Sequence, residues 1–291
     1  MVQSVDNVTP VNDSQRDYLV YVCRMLSGIS GASRADLVRV VGYGRRFVTV
    51  SDVAAALAVD RPEAAKRLAR WAEQGWLRRV RRDLYISVPV DAPDPASWGA
   101  DPLVLADAVW DPCYVSGWTA ANHWGLTEQS FRTIVIKSAA RVRRSRQRLL
   151  DTDYLVAHTN REALEWGMAM EWHEERRIRI ADPARTVIDI LDDPRLGGGI
   201  RVAGEMLGAY LDDHDPAQLL TYGDRVGNGT VFKRLGYLGE TLGVSDELLA
   251  ECESRLPSGV SLLDPALAGT GPRSARWRLR LNATVGGQGP S

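Results

Sequence analysis

The chain predicts an α+β protein made of a small amino-terminal domain and a larger carboxy-terminal one. Three observations predict it. Two short capped helices and a strand-like hairpin lie between Phe47 and Pro89. A proline-rich break follows, with Pro89, Pro93, Pro95 and Pro102 within a few residues. Beyond the break, strand-like runs come first and a long helical half comes after, the order of a mixed or antiparallel sheet rather than an alternating parallel one.

Asp17 to Ser27 and Arg34 to Val41 read as helices that underlie the small domain. Thr49-Val-Ser-Asp52 fits a capping box, and starts a short, Ala-rich helix over Val53 to Ala58. After a tight turn, Asp60-Arg-Pro-Glu63 starts a second helix, with Pro62 in the first turn where no donor is missed, running to about Gln74 before Gly75. Ala65, Leu68 and Ala72 are expected to pack inward with Trp71 at their border, leaving Lys66, Arg67 and Arg70 on the other face. Trp76 to Ser87 then gives two strands joined near Arg82-Asp83 and loaded with Arg78, Arg79, Arg81 and Arg82. Helix, turn, helix and two-stranded wing is the order of a winged helix-turn-helix, whose second helix enters the DNA major groove.

Charge follows the same boundaries. Between Arg34 and Val88 there are twelve Lys/Arg against six Asp/Glu, a local excess of +6 in a chain whose net charge is −1. Cations that neutralise phosphates release counterions and bind duplexes in a salt-dependent way, while side chains reaching base edges add sequence preference. Two other readings stand beside this one. Arginine outnumbers lysine 33 to 3 over the whole chain, so its abundance here is partly compositional, and winged helices also serve as protein–protein modules.

In the larger domain, Pro102 to Trp110 reads as a helix, Cys113 to Ser116 as a strand and Trp118 to Trp124 as a small-residue helix. Arg132 to Lys137 and Tyr154 to His158 read as strands, and Met168 to Trp172 with Arg177 to Ala181 as a hairpin across Glu174-Glu175. From Pro183 four or five helices follow to about Ser254. Arg276 to Asn282 alternates strictly and suggests one returning strand, while Gly286 to Ser291 is expected to be disordered. The expected domains are therefore residues 1–88, a linker at 89–102, and 103–285.

At 291 residues, 45% hydrophobic and 25% charged, the chain has the composition of an ordinary globular protein with core enough for two domains. Asp6, Asp13 and Asp17 exclude a signal peptide or anchor reading of the first residues. The longest uncharged stretch, Pro112 to Thr127, is broken by Pro, Gly, Asn and His. Cys23, Cys113 and Cys252 have neither disulfide-framework nor zinc spacing. A cytoplasmic protein is expected.

No catalytic constellation stands out, so neither an enzyme nor a cofactor is expected. His123, His158, His173 and His214 show no metal spacing, and His123 beside Trp124 reads as a satisfied structural histidine. Gly197-Gly-Gly199 lacks a following Gly-Lys-Ser/Thr and reads as a loop before a helix. The alternative is a metal-dependent nucleic-acid-processing enzyme using Glu174, Glu175, Asp182 and Asp189 with Lys137. Against it, Glu174-Glu175 fits a turn and Asp182-Pro183 fits a helix cap. Lys137, Arg141, Arg143, Arg144, Arg146 and Arg148 form a basic run without an acid, readable as a solvated loop or as a second surface for an acidic partner.

These residues resemble the AbiEi family of bacterial toxin–antitoxin regulators. The resemblance is carried by Gly75-Trp-Leu77 through Arg82-Asp-Leu-Tyr85, by Tyr114-Val-Ser116, Ala120-Ala121 and Gly125-Leu126, and by Ala181-Asp-Pro-Ala-Arg-Thr-Val-Ile-Asp189 with Gly198-Gly199. It continues in Lys233-Arg-Leu-Gly-Tyr-Leu238 with Glu240, and in Arg276-Trp277 to Asn282. It spans about residues 45 to 282. Asp83 stands where the family usually has Gly, and Ala184 where it often has Glu. The resemblance implies a cytoplasmic autorepressor that binds inverted repeats of its operator duplex; the spacing and charge of the small domain assign the contacts to Lys66, Arg67 and Arg70 in the groove and to Arg78, Arg79, Arg81 and Arg82 on the hairpin. The resemblance also implies an antitoxin that counters a nucleotidyltransferase-like toxin or protects that toxin's nucleic-acid substrate.

Overall fold

The computed structural model describes residues 31–42, 46–89, 92, 94 and 97–285. The helix expected over Asp17 to Ser27, part of the proline-rich stretch and the tail from Gly286 lie outside the described residues. The chain divides into two compact units, Met1–Ala100 and Asp101–Ser291. Ten α-helices and sheets of mixed and antiparallel pairing make it α+β among those residues. No helix in the described part is long and apolar enough to cross a membrane.

Unit 1 contains α1 (Gly31–Val41), β1 (Phe47–Val48), α2 (Val50–Leu57), α3 (Arg61–Glu73), β2 (Leu77–Arg81) and β3 (Leu84–Ser87). The capping box at Thr49 is complete: Asp52 and Thr49 each bind the other's backbone N–H. Asp60 caps α3 through the Glu63 N–H, with Pro62 in the first turn. The sheet runs β1-β3-β2, antiparallel throughout. Its core joins Leu37, Val48, Val53, Ala64, Leu68, Trp71 and Leu77. The inward stripe of α3 is therefore Ala64, Leu68 and Trp71, and the expected inward Ala65 is exposed. The bulky indole decides this. Trp71 is 1% exposed and donates to Ser33 Oγ at 3.0 Å, which rotates the stripe by one residue.

Unit 2 is built on a six-stranded mixed sheet, ordered β6-β7-β5-β4-β9-β8. Its strands are β4 (Cys113–Val115), β5 (Ile134–Ser138), β6 (Arg146–Leu149), β7 (Thr152–His158), β8 (Met168–His173) and β9 (Arg176–Ala181). Around them lie α4 (Pro102–Trp110), α5 (Gly117–His123), α6 (Pro183–Asp192), α7 (Ile200–Asp213), α8 (Ala217–Val226), α9 (Thr230–Leu242) and α10 (Asp246–Ser254). Alternation along β4 sets the layers. Cys113 Sγ points at the Ala106 carbonyl of α4, whereas Tyr114 reaches α6, so the two helices cover opposite faces. Every residue of α6 from Ala184 to Leu191 is buried, making it the axis of the unit.

Three short strands, β10 (Ser261–Leu262), β11 (Arg273–Ser274) and β12 (Leu279–Arg280), close the chain as β10-β12-β11. The strand expected over Arg276 to Asn282 is thus reduced to two residues. Its alternation comes instead from a turn that buries Trp277 completely, with Arg278 at φ +50° redirecting the backbone. Trp277 lies flush on Gly236 of α9, where a Cβ would come 2.0 Å from the ring, and its indole N–H donates to Glu240. Lys233 donates to the Gly259 carbonyl, and Arg234 donates to the carbonyls of Leu191, Asp192, Leu262 and Leu263. The block Lys233 to Leu238 therefore sews α9 to the closing strands and to the end of α6.

Candidate nucleic-acid interface

In unit 1 the turn Ala58–Asp60 joins α2 to α3, with Ala58 left-handed at φ 52°. The exposed face of α3 carries Arg61, Pro62, Ala65, Lys66, Ala69, Arg70 and Glu73. Lys66 and Arg70 have no hydrogen-bond or ion-pair partner among the described residues. Ala65 and Ala69 between them keep the helix surface low, which permits close approach to another molecule's backbone or base edges.

Arg67 is placed differently from its two expected companions. Its Nη1 lies 2.6 Å from Asp36 of α1 and its Nε 3.0 Å from Glu63, so it sits on the flank of α3 as a half-buried link to α1. Spacing alone had grouped it with Lys66 and Arg70; Asp36, thirty-one residues earlier, is the partner that spacing does not see.

The hairpin divides its arginines too. Arg78 is half-buried and donates to the Trp98 carbonyl at 2.8 Å. Arg79 is exposed and its Nε reaches the Arg81 carbonyl at 3.4 Å. The side chains of Arg81 and Arg82 are exposed at the tip and make no hydrogen bond or ion pair among the described residues. Asp83 holds that tip in place. It adopts φ +66° and accepts from the Val50 N–H at the start of α2, at 2.9 Å. A carboxylate at the positive end of a helix is favourable, so Asp83 ties the hairpin to α2.

Arg61 was not among the expected site residues. It stands in the first turn of α3, 64% exposed, donating to Ser51 Oγ at 2.8 Å and 3.8 Å from Asp83. Its position was a readable signal, because the first turn of a groove-entering helix contacts bases.

The residues weighed for metal chemistry separate in space. Glu174 and Glu175 form the turn between β8 and β9. Asp182 caps α6 through the Arg185 N–H and accepts from the Tyr222 hydroxyl. Asp189 is fully buried and accepts from Lys137 Nζ (2.9 Å), Arg185 Nε (3.0 Å), Ser116 Oγ (2.7 Å) and the Tyr114 hydroxyl (2.9 Å). Burial alone would raise the Asp189 carboxyl, but Lys137 and Arg185 outweigh it and hold it below the usual carboxylate range. Burial, with Asp189 alongside, pushes the Tyr114 phenol well above its ordinary range. No group of three or more His, Cys, Asp or Glu among the described residues is placed to hold a metal ion.

Lys137 accordingly leaves the basic run. Arg146 and Arg148 lie on edge strand β6, paired antiparallel to β7, rather than in a loop, and Arg141, Arg143 and Arg144 precede them on the surface. His123, expected to be a satisfied structural histidine, is exposed with its ring edge-on to Trp124. Cys113 and Cys252 are free and buried, and burial pushes the Cys252 thiol up to about 12.

No protein-family model matches the chain, and no curated protein matches it. Among solved structures, the crystal structure of the RV2827C protein from Mycobacterium tuberculosis is similar over 86% of this chain and 92% of that one, with a TM-score of 0.56 at 18% identity. At that identity the likeness establishes a common fold.

Proposed function

We propose that this chain is a DNA-binding transcriptional autorepressor and the antitoxin of a toxin–antitoxin operon. In this reading unit 1 is a winged helix-turn-helix, α3 is the helix that enters the major groove, and β2–β3 is the wing. The observation that carries it is the side-chain partition on unit 1. Lys66 and Arg70 on the outer face of α3, and Arg81 and Arg82 at the hairpin tip, are exposed cations whose side chains have no partner among the described residues. The neighbouring cations are engaged, Arg67 by Asp36 and Glu63 and Arg78 by the Trp98 carbonyl. Cations held free on one helix face and one adjacent tip suit a duplex, where α3 meets base edges and the tip meets phosphates.

The antitoxin role rests on the AbiEi resemblance, whose blocks in unit 2 supply the buried Asp189 cluster and the Lys233–Leu238 seam. A cytoplasmic setting belongs to the same reading.

A gel-shift titration on the DNA upstream of the gene tests it. The intact protein should retard that fragment in a salt-dependent way, and a Lys66→Ala/Arg70→Ala double variant should lose most of the shift. Equal retardation by both proteins would refute the assignment of α3. Co-expression with a nucleotidyltransferase-like toxin encoded beside the gene, scored by rescue of cell growth, tests the antitoxin half separately, and the lack of any such neighbouring reading frame would count against it.

A further inference from the structure

Unit 2 holds a polar cleft that DNA recognition does not use. It has a volume of about 530 Å³ and opens beside the carboxy-terminal ends of β5 and β7, the segment through Trp166, and helices α6 and α8. That size is usual for a small-molecule site, and the ends of parallel strands are a usual place for one; β5 and β7 are parallel, with Lys137 opposite Ala157 and Ser138 opposite His158.

The donors in its wall are incompletely used. Lys137, its side chain only 10% exposed, makes one hydrogen bond, to Asp189; Asp192 Oδ2 is 4.0 Å away, beyond hydrogen-bond reach. An ammonium has three donors, so two have no hydrogen-bond acceptor among the described residues. Arg225 lies over the Trp166 ring at 5.6 Å and has no hydrogen bond or ion pair among the described residues. His158 is exposed and likewise without a hydrogen-bond partner there. Arg185, by contrast, is committed: it bonds Asp189 and the Tyr114 hydroxyl and covers one face of Trp166 at 3.5 Å. The remaining charges lining the cleft are the carboxylates of Asp192, Glu162 and Glu165.

We propose that this cleft binds a small phosphate monoester whose body carries hydroxyl groups, a mononucleotide or a sugar phosphate. Lys137, Arg225 and His158 supply donors for one phosphate, a task that ammonium and guanidinium groups perform by charge-assisted bonds. Asp192, Glu162 and Glu165 accept from hydroxyls, as carboxylates do from a ribose. The same three carboxylates disfavour a polyphosphate or a nucleic-acid strand, whose successive charges would meet them.

Isothermal calorimetry on the full chain tests this with adenosine monophosphate, ribose 5-phosphate, adenosine and inorganic phosphate. At least one monoester should bind about tenfold more tightly than both adenosine and inorganic phosphate. Ribose 5-phosphate equal to adenosine monophosphate would mark the sugar phosphate as sufficient; a preference for the nucleotide would show that the base is read. Arg225→Ala, at an exposed site outside the core, should weaken the monoester about tenfold, and His158→Ala should weaken it less. Arg82→Ala, in unit 1, should leave it unchanged. The proposal is overturned if neither monoester binds, if inorganic phosphate binds as tightly, or if folded Arg225→Ala protein binds like the intact chain.

Discussion

Tyr114 and Lys137 stand directly opposite each other on the antiparallel β4–β5 ladder, and both reach the carboxylate of Asp189 on α6. Cross-strand neighbours share a sheet face, so this pairing fixes which side of the sheet receives α6. With Arg185 and Ser116 it also supplies the partners that a fully buried carboxylate requires.

Removing that carboxylate should be costly. Asp189→Ala leaves Arg185 as a buried cation without its counter-charge and Lys137 with only Asp192, 4.0 Å away, and unit 2 should lose about 3–5 kcal/mol of stability in urea unfolding. The DNA affinity of the folded protein should not change. A loss under about 1 kcal/mol would mean the cluster does not hold α6 to the sheet.

Acid should act through the same group. The folded Asp189 carboxyl is depressed, so its contribution is fully present above the unfolded value, about 3.9, and fades as pH falls through the lower folded value. Stability measured from neutral pH downward should therefore decline below about pH 4, and the Asp189→Asn protein, weaker at neutral pH, should show a shallower decline. Parallel acid limbs in the two proteins would contradict the link.

On unit 1 the arginines should sort by partner. Arg70→Ala and Lys66→Ala should each cost about 1–3 kcal/mol of operator affinity and relax base preference, while Arg81→Ala or Arg82→Ala should weaken all sequences alike and flatten the salt slope by about one unit. Arg67→Ala should behave as a stability variant, losing about 1 kcal/mol through its pairs with Asp36 and Glu63 and leaving base preference intact. Changed base preference in Arg67→Ala would return it to the reading face.

The tip of the β2–β3 hairpin offers a graded series. Asp83→Ala loses the bond to the Val50 N–H and keeps the strained positive φ, so it should destabilise unit 1 by about 1–2 kcal/mol and weaken DNA binding. Asp83→Asn tolerates that backbone and retains an acceptor oxygen, so its loss should be smaller. Thermal melts and gel shifts of the pair would reveal the order; equal losses would exclude the tether.

Gly236→Ala tests the closing seam. Its new Cβ would strike the Trp277 ring, so the melting temperature of unit 2 should drop, with a cost of about 3 kcal/mol. An unchanged melt would show that Trp277 can leave its seat freely.

The segment from Thr49 to Ser87 was readable because its determinants are local. A capping box, an Asp cap with Pro in the first turn, and a two-residue hairpin turn each act within four residues. The helix from Pro183 was legible in the same way, by the Asp182 cap with Pro183 in its first turn. Less was visible where a strand was short and polar. Arg146 to Leu149 looks like a solvated basic run because only Leu149 of the four is buried, and its place in the sheet comes from pairing with β7. Of the alternating run Arg276 to Asn282 only Leu279 and Arg280 form a strand, paired with β10 and β11, while Trp277 is buried by the turn before them.

By itself the sequence determined the helices and the longer strands, their order, the α+β class and the concentration of cations between Arg34 and Val88, since each depends on residues near one another in the chain. Only the tertiary structure decided which cations are free. Arg67 meets Asp36 across thirty-one residues, Arg78 meets Trp98 across twenty, and Lys137 meets Asp189 across fifty-two. Ion pairing depends on distance in space, and that distance is set when apolar stripes such as Ala64, Leu68 and Trp71 choose their packing partners.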